Sequence, residues 1–317
     1  MKSIRSISIM FCLFILLCGQ INHAWAENDR HTFAKLGNGL KIHIIEDHRS
    51  VVVMSSILYQ VGGADESVEQ AGVSHMLEHM MFKGTAKHGK GEFNKKIDFM
   101  GGISNAFTSG DVTGYWARYP SQHLMEWLTL EADRMQNLSI DEKELSKERM
   151  VVLEERKMRV DDNPWGRLYE AYQQYAFVPK PYFTPVVGYT DNILHYSKDQ
   201  LEQWYRRYYK PNNATIILIG DVKADQAIDQ IKSVFGDIKA SATPKIVHEI
   251  NNAHAYRRVQ LSRQQKTPLL MMGYQVPILR SSCRKNNMNI EHGRIMCRNK
   301  VNLITVLTCP LLQIFQS

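Results

Sequence analysis

Two histidines and a glutamate lie within five consecutive residues, His75-Met76-Leu77-Glu78-His79. On an α-helix advancing about 100° per residue, with His75 at 0°, His79 falls near about +40° and Glu78 near about −60°. Both imidazoles and the carboxylate then share one side of the helix. Two neutral imidazoles one turn apart can both reach a Zn²⁺ ion at about 2.0–2.1 Å, and a catalytic site adds a third protein ligand and keeps one position open. The familiar His-Glu-x-x-His order gathers the same groups with the carboxylate on the opposite side; here the order is inverted. A solvated helix could carry these residues by chance. The neighbours Val73, Met76, Leu77, Met80, Met81 and Phe82 argue against that, because the segment is too apolar to face water. Titratable groups on a mostly buried helix need partners to offset their desolvation, and a metal ion supplies one.

A third ligand requires a carboxylate on another helix. The stretch Asp141 to Val160 offers Glu142, Glu144, Glu148, Glu154 and Glu155. Glu148 and Glu155 are two turns apart and share a face, since a seven-residue step drifts by only about 20°. Periodicity alone does not separate Glu154 from Glu155. A Glu/Lys-rich helix is also what a solvated face looks like.

Several elements must position these groups. Thr32 to Leu36 and Leu40 to Glu46 flank Gly37-Asn38-Gly39, a hairpin signal. Val51 to Val61 reads as a buried strand closed by Gly62-Gly63, and a helix follows from about Val68 to Phe82. A second helix, Phe93 to Met100, stops at Gly101-Gly102, and Ile103 to Tyr119 reads as a hairpin turning near Ser109-Gly110-Asp111. Helices are expected over Gln122 to Met135, Asp141 to Val160, Pro164 to Ala176, Gln200 to Tyr208 and Ala224 to Phe235, with an apolar strand at Ala214 to Ile219. Strands and helices mix without strict βαβ alternation. The expected class is therefore α+β, an antiparallel-rich sheet with helices packed on one face. Residues 240–247 read as a linker. Arg257 to Leu261 and Pro268 to Val276 read as two further strands, after which no period is legible.

Composition narrows the function classes. The chain has 317 residues, 44% of them hydrophobic, and a formal charge of +7. The excess sits at the two ends. Residues 1–26 carry Lys2 and Arg5 and no acid; residues 279–317 carry six bases against Glu291 alone. The body between them is neutral, so the basic isoelectric point does not imply nucleic acid. Trp204, Tyr205, Tyr208 and Tyr209 accordingly read as core rather than a base-stacking platform. All five cysteines lie in the same end segments, Cys12 and Cys18 in the first and Cys283, Cys297 and Cys309 in the last. That excludes a disulfide framework, a thiolate metal site and a cysteine nucleophile from the body. Lys2 and Arg5, the apolar run Ile7 to Leu17 and Ala24-Trp25-Ala26 make an export signal, with cleavage after Ala26. The run is well short of the roughly 20 residues needed to span a bilayer, so no stable membrane anchor is expected after cleavage. The expected location is the periplasm of a Gram-negative cell, or the exterior of another.

From about His31 to Val276 the chain resembles the pitrilysin/insulinase family of zinc metallopeptidases, the inverzincins, which includes mitochondrial processing peptidase. The inverted motif at His75 to His79, Glu155 at the family's distance beyond it, and Glu148 seven residues earlier carry the resemblance. Gly101-Gly102 leading into Ser104-Asn105-Ala106-Phe107-Thr108, Asp111, Thr113 and Tyr115 matches the family's active-site strand. Gly188-Tyr189-Thr190-Asp191 and Asn213 to Asp221 are typical of its bacterial and processing-peptidase branch. The resemblance implies one zinc ion held by His75, His79 and Glu155, with Glu78 as general base and Glu148 in support. It implies a peptide substrate added as a strand along Asn105, Ala106, Phe107 and Thr108. The implied activity is endopeptidase cleavage of short or unfolded polypeptides. The alternative is a non-catalytic peptide-binding homologue, or a subunit completed by a homologous partner or a second copy. Members carry two homologous domains that close as a clamshell. Against that pattern, residues 27–240 correspond to the zinc-binding first domain and residues 241–278 to a linker and the opening strands of a second. Residues 279–317 match nothing, and the second half of the clamshell is expected to be truncated near residues 277–280.

Overall fold

The computed structural model describes residues 31–176, 182–242, 258–260, 269–277 and 300–307. Its sheet follows from strict alternation. In β3 (Val52–Tyr59) the residues Val53, Ser55, Ile57 and Tyr59 are buried, and their neighbours Val52, Met54, Ser56 and Leu58 are only half-buried. β2 (Lys41–Glu46) buries Ile42 and Ile44, and β6 (Ala214–Gly220) buries Ala214, Ile216, Leu218 and Gly220. One face is thus dry and the other open, as a period of two on a half-covered sheet requires.

Six strands run in the order β1-β2-β6-β3-β5-β4, with β1 at His31–Lys35, β4 at Ile103–Thr108 and β5 at Thr113–Pro120. β2 and β6 are parallel; every other neighbouring pair in this sheet is antiparallel. Helices α1 (Val73–Met80), α2 (Glu92–Phe99), α3 (Leu124–Asn137) and α8 (Ala224–Phe235) close over the dry face, sharing one core with the sheet. The remaining helices are α4 (Glu142–Arg156), α5 (Pro164–Ala176), α6 (Thr190–His195) and α7 (Lys198–Tyr208). Trp204, Tyr205, Tyr208 and Tyr209 are all buried in the core. Among the described residues no helix is long and apolar enough to cross a membrane. The export signal at 1–26 and the linker from residue 243 lie outside the described residues.

The expected elements recur with informative shifts. The helix expected from Val68 starts only at Val73, after a short 3₁₀ turn at Val68–Gln70 and a left-handed Gly72. Gly72 (φ +92°) and Gly188 (φ +84°) lie back to back: a Cβ on Gly72 would stand 2.6 Å from Gly188 Cα, and one on Gly188 2.5 Å from the Ala71 carbonyl oxygen. Only glycine satisfies both the dihedral and the space. The helix expected over Asp141 to Val160 is α-helical to Arg156 and then widens into a π-helical turn, Lys157–Asp161. Asp141 caps it, accepting from the N–H groups of Lys143 and Glu144 at 2.9 and 3.0 Å. Short α6 was not legible, because six residues span too few turns to show a period. β7 (Leu270–Pro277) falls where a strand was expected and pairs antiparallel with β8 (Lys300–Leu307), in a tail where no period was legible. Of the strand read at Arg257 to Leu261, residues 258–260 have no regular structure and the rest lies outside the described residues.

Gly188→Ala is expected to destabilise the protein by about 1–3 kcal/mol, the cost of a β-carbon in a left-handed, closed site. The midpoint of urea unfolding measures it, and a wild-type midpoint would show that this junction yields freely.

Candidate metal centre

α1 reaches its place because its apolar side chains leave no other choice. Val73, Met76, Leu77 and Met80 are at most 1% exposed, which turns the third side of the helix, with His75, Glu78 and His79, toward α4 and β4. The N-terminus of α1 lacks a local side-chain cap. Glu66 supplies one from upstream: its buried carboxylate accepts from the N–H of Gly72 at 2.6 Å and of Ser74 at 2.8 Å. Tyr196 donates to the Ala71 carbonyl, and Trp204 Nε1 donates to Ser74 Oγ at 3.1 Å. Arg156, at the end of α4, donates to the Gly188 carbonyl at 2.7 Å and pairs with Glu170 at 3.1 Å. The two helices of the site are therefore tied to the same glycine junction.

α4 buries Leu145 and Val152 and turns Glu148 and Glu155 toward α1. The ambiguity between Glu154 and Glu155 resolves to Glu155. His79 Nε2 lies 3.2 Å from Glu155 Oε2, and His75 Nε2 lies 3.6 Å from Glu155 Oε1. Ligand atoms of His75, His79 and Glu155 all lie within 4.8 Å of one another; among the described residues this is the one such group of three. On its far side His79 Nδ1 meets Glu148 Oε1 at 2.8 Å, and the other oxygen of Glu148 pairs with Lys83. Arg159, on the π-helical turn, donates to Glu155 Oε1 at 2.8 Å.

These donors suit zinc. Two atoms bound at about 2.05 Å in a tetrahedron stand roughly 3.4 Å apart, close to both Glu155–histidine distances. The 3.6 Å gap between His75 Nε2 and Glu155 Oε1 is too long for a hydrogen bond. A cation between these groups would satisfy what they do not satisfy in each other. The carboxylate of Glu148 behind His79 fixes its tautomer and leaves Nε2 for the metal, the arrangement usual around metal-bound histidine.

Electrostatics agree. Burial alone would lower the His79 pKa, yet the carboxylates of Glu148 and Glu155 outweigh it and raise the value to about 9. Burial opposes the ionised forms of Glu148 and Glu155 as well, but charge from the histidines and hydrogen bonds from His79, joined at Glu148 by Lys83, hold both pKa values below the ordinary carboxylate range.

Glu78 is buried and accepts from Thr108 Oγ1 at 2.5 Å. Thr108 closes β4, the outermost strand, whose exposed side carries Ile103, Asn105 and Phe107. The four residues singled out along this strand thus divide. Ala106 and Thr108 face the helices, while Asn105 and Phe107 face outward. The Asn105 side chain covers its neighbour, accepting from the Ala106 N–H at 2.8 Å.

Other contributors escaped the sequence. The buried Arg134 sits 3.8 Å from the ring centroid of Phe93, 4.7 Å from that of Tyr115 and 5.2 Å from that of Phe82, paired with Glu131 at 2.5 Å. Glu131 and Arg134 are spaced i, i+3 on one helix, a signal that could have flagged them. Glu66 and Lys83 carry no such mark, while Arg159 lies four residues after Glu155, a spacing that could have flagged it too. His88, His123 and His195 make only local contacts, with Glu92, Glu126 and the Asp191 carbonyl; His248 and His254 lie outside the described residues.

An α+β half-shell with an inverted His-x-x-Glu-His helix and a distant glutamate defines a class of metallopeptidase domain. Residues 41–188 match the family model described as Insulinase (Peptidase family M16), and residues 195–288 match the Peptidase M16 inactive domain. The chain belongs to the insulinase/pitrilysin family of peptidases. It is similar to the zinc protease PqqE of Helicobacter pylori, 32% identical over 238 residues that cover 75% of this chain and 54% of that protein. A crystal structure of a protease from Helicobacter pylori superposes with a TM-score of 0.74 at 32% identity, covering 78% of this chain and 61% of the other. The first half of the periplasmic protease PqqL from Escherichia coli, at 23% identity, shares the fold, with a TM-score of 0.66 over 80% of this chain and 56% of that one. The chain spans about half the length of the curated relatives it matches. Its fold is that of the first half of the family's clamshell.

Two outcomes follow from this geometry. Glu148→Gln should weaken zinc binding about 10- to 100-fold, the usual effect of losing a ligand's hydrogen-bonded partner, as measured by competition with a chelating dye. Stripped of metal, the cluster should stabilise the fold most between about pH 4.5 and 6.5. The raised His79 pKa contributes stability that is complete below 6.5 and lost as pH rises through about 9; the lowered Glu148 and Glu155 values contribute stability above 4.5 that is lost as pH falls. Thermal unfolding in EDTA across this range tests both limbs, and His79→Asn should flatten the alkaline one.

Proposed function

We propose that this chain is the metal-binding half of an exported zinc endopeptidase that cleaves short or unfolded polypeptides. The convergence of His75, His79 and Glu155, with Glu78 beside them and Glu148 behind, carries the reading. Zinc bound by those three residues would supply a Lewis acid that works at neutral pH. Glu78, on the same helix, takes a proton from the attacking water and returns it to the leaving amine. A structural zinc site has no use for such a base.

Substrate binds as an added strand along the outer edge of β4, through the backbone of Asn105 to Thr108, with side-chain pockets setting preference. The edge position of β4 and its exposed apolar residues support this. A homologous partner chain or a second copy would supply the opposite wall of the chamber. The neutral body gives nucleic acid no positive field to bind. Periplasmic location is supported by the signal pattern at 1–26 and by the periplasmic relative that shares the fold. The division into residues 27–240, 241–278 and 279–317 belongs to the same proposal.

The test is cleavage of a quenched fluorescent, unstructured peptide by zinc-loaded protein, alone and with candidate partner chains. Cleavage should stop with 1,10-phenanthroline and return with zinc. Glu78→Gln should keep stoichiometric zinc and lose roughly 10²- to 10⁴-fold in rate. Zinc-loaded protein that binds the peptide and never cuts it would instead make the chain a non-catalytic, peptide-binding subunit. Failure to bind zinc would remove both readings.

A further inference from the structure

We propose that Thr108 is a positioning residue for Glu78, joining the strand that receives the peptide to the base that acts on it; the inference rests on the peptidase reading above. Thr108 Oγ1 donates to Glu78 Oε2 at 2.5 Å and is the one hydrogen-bond donor to Glu78 among the described residues. A carboxylate at the end of a three-torsion side chain swings through a wide arc, and its last torsion is soft. With Oε2 engaged, rotation about that torsion is arrested and Oε1 is left to take a proton. A base set in place beforehand loses no time or free energy in finding its angle.

The strand end that carries the hydroxyl is well anchored. Thr108 stands opposite Thr113 across the β4–β5 ladder, and buried Thr113 donates to the Val61 carbonyl at 2.9 Å. The turn that follows is pinned from three sides. Ser109 N–H donates to the Val112 carbonyl, and the N–H groups of Gly63 and Ala64 donate to the carbonyls of Ser109 and Gly110 at 3.0 and 2.8 Å. Tyr182 lays its ring on Gly110 and donates to Asp111 Oδ1 at 2.5 Å, while its own backbone holds φ +71°. A bulky side chain at positive φ is costly and persists only where its surroundings fix it.

The side chain and backbone of Thr108 therefore do separable work. Strand addition uses backbone groups, which threonine, valine and serine supply alike; the contact to Glu78 uses Oγ1 alone. Thr108→Val keeps shape, β-branching and backbone and removes only the hydroxyl. Thr108→Ser restores it.

The experiment compares zinc-loaded wild type, T108V and T108S on the quenched peptide, with zinc affinity and thermal midpoint measured alongside. In T108V, kcat should fall about 10- to 100-fold, as expected for loss of a hydrogen bond to a charged group, while KM, zinc affinity and the thermal midpoint hold. T108S should recover most of the rate. A turnover-free readout accompanies it: a peptide hydroxamate, whose acidic hydroxyl also needs a correctly aimed carboxylate, should bind more weakly to T108V and normally to T108S by fluorescence anisotropy. The proposal is overturned by a T108V rate equal to wild type, by a rise in KM alone, by a T108S rate as low as that of T108V, or by parallel loss of zinc and stability. Wild-type protein that holds zinc, binds the hydroxamate and cuts nothing defeats the peptidase reading separately, before any variant is compared.

Discussion

The site depends on gathering charge where water is scarce. Two imidazoles and three carboxylates meet where α1, α4 and β4 converge, and a lone ion there would be worth several kcal/mol of destabilisation. Each group answers this by pairing: His79 between Glu148 and Glu155, Glu148 again with Lys83, Glu155 again with Arg159, and Glu78 with Thr108. His75 is the exception, with Nε2 beyond hydrogen-bond reach of Glu155. A divalent cation is the natural completion of that set. The rest of the fold holds two helices, 69 residues apart between His79 and Glu148, at this separation.

How that separation is held explains what the sequence could disclose. The inverted motif and the seven-residue step from Glu148 to Glu155 were legible because both follow from the pitch of one helix. The choice between Glu154 and Glu155 was not, because it depends on where another helix lies. The same applies to Glu66, which caps α1 from outside it, and to Gly72 and Gly188, whose close approach joins segments far apart in the chain. Arg134 lies between these extremes: its pair with Glu131 is local, but the three rings around it come from Phe82, Phe93 and Tyr115.

The sheet repeats the pattern. Alternation in β3 and the Ser109–Asp111 turn placed three strands almost to the residue, and Ala224–Phe235 was legible from its two sides alone. The insertion of β6 between β2 and β3 was not, since an apolar run of seven residues fits any central position. Short α6 left no period to detect, and the late start of α1 reflects a left-handed glycine that no propensity scale would single out.

That insertion also governs how the molecule comes into being. β2 and β3 are near neighbours in the chain but touch only through β6, and Lys41 waits for Thr215. Until the last third of the chain arrives, both strands present bare apolar edges with unmet amide groups. High contact order makes such assembly slow, and naked edges invite intermolecular pairing meanwhile. A nascent or refolding chain thus passes through a stage in which its central gap is open to any extended polypeptide, including another copy of itself.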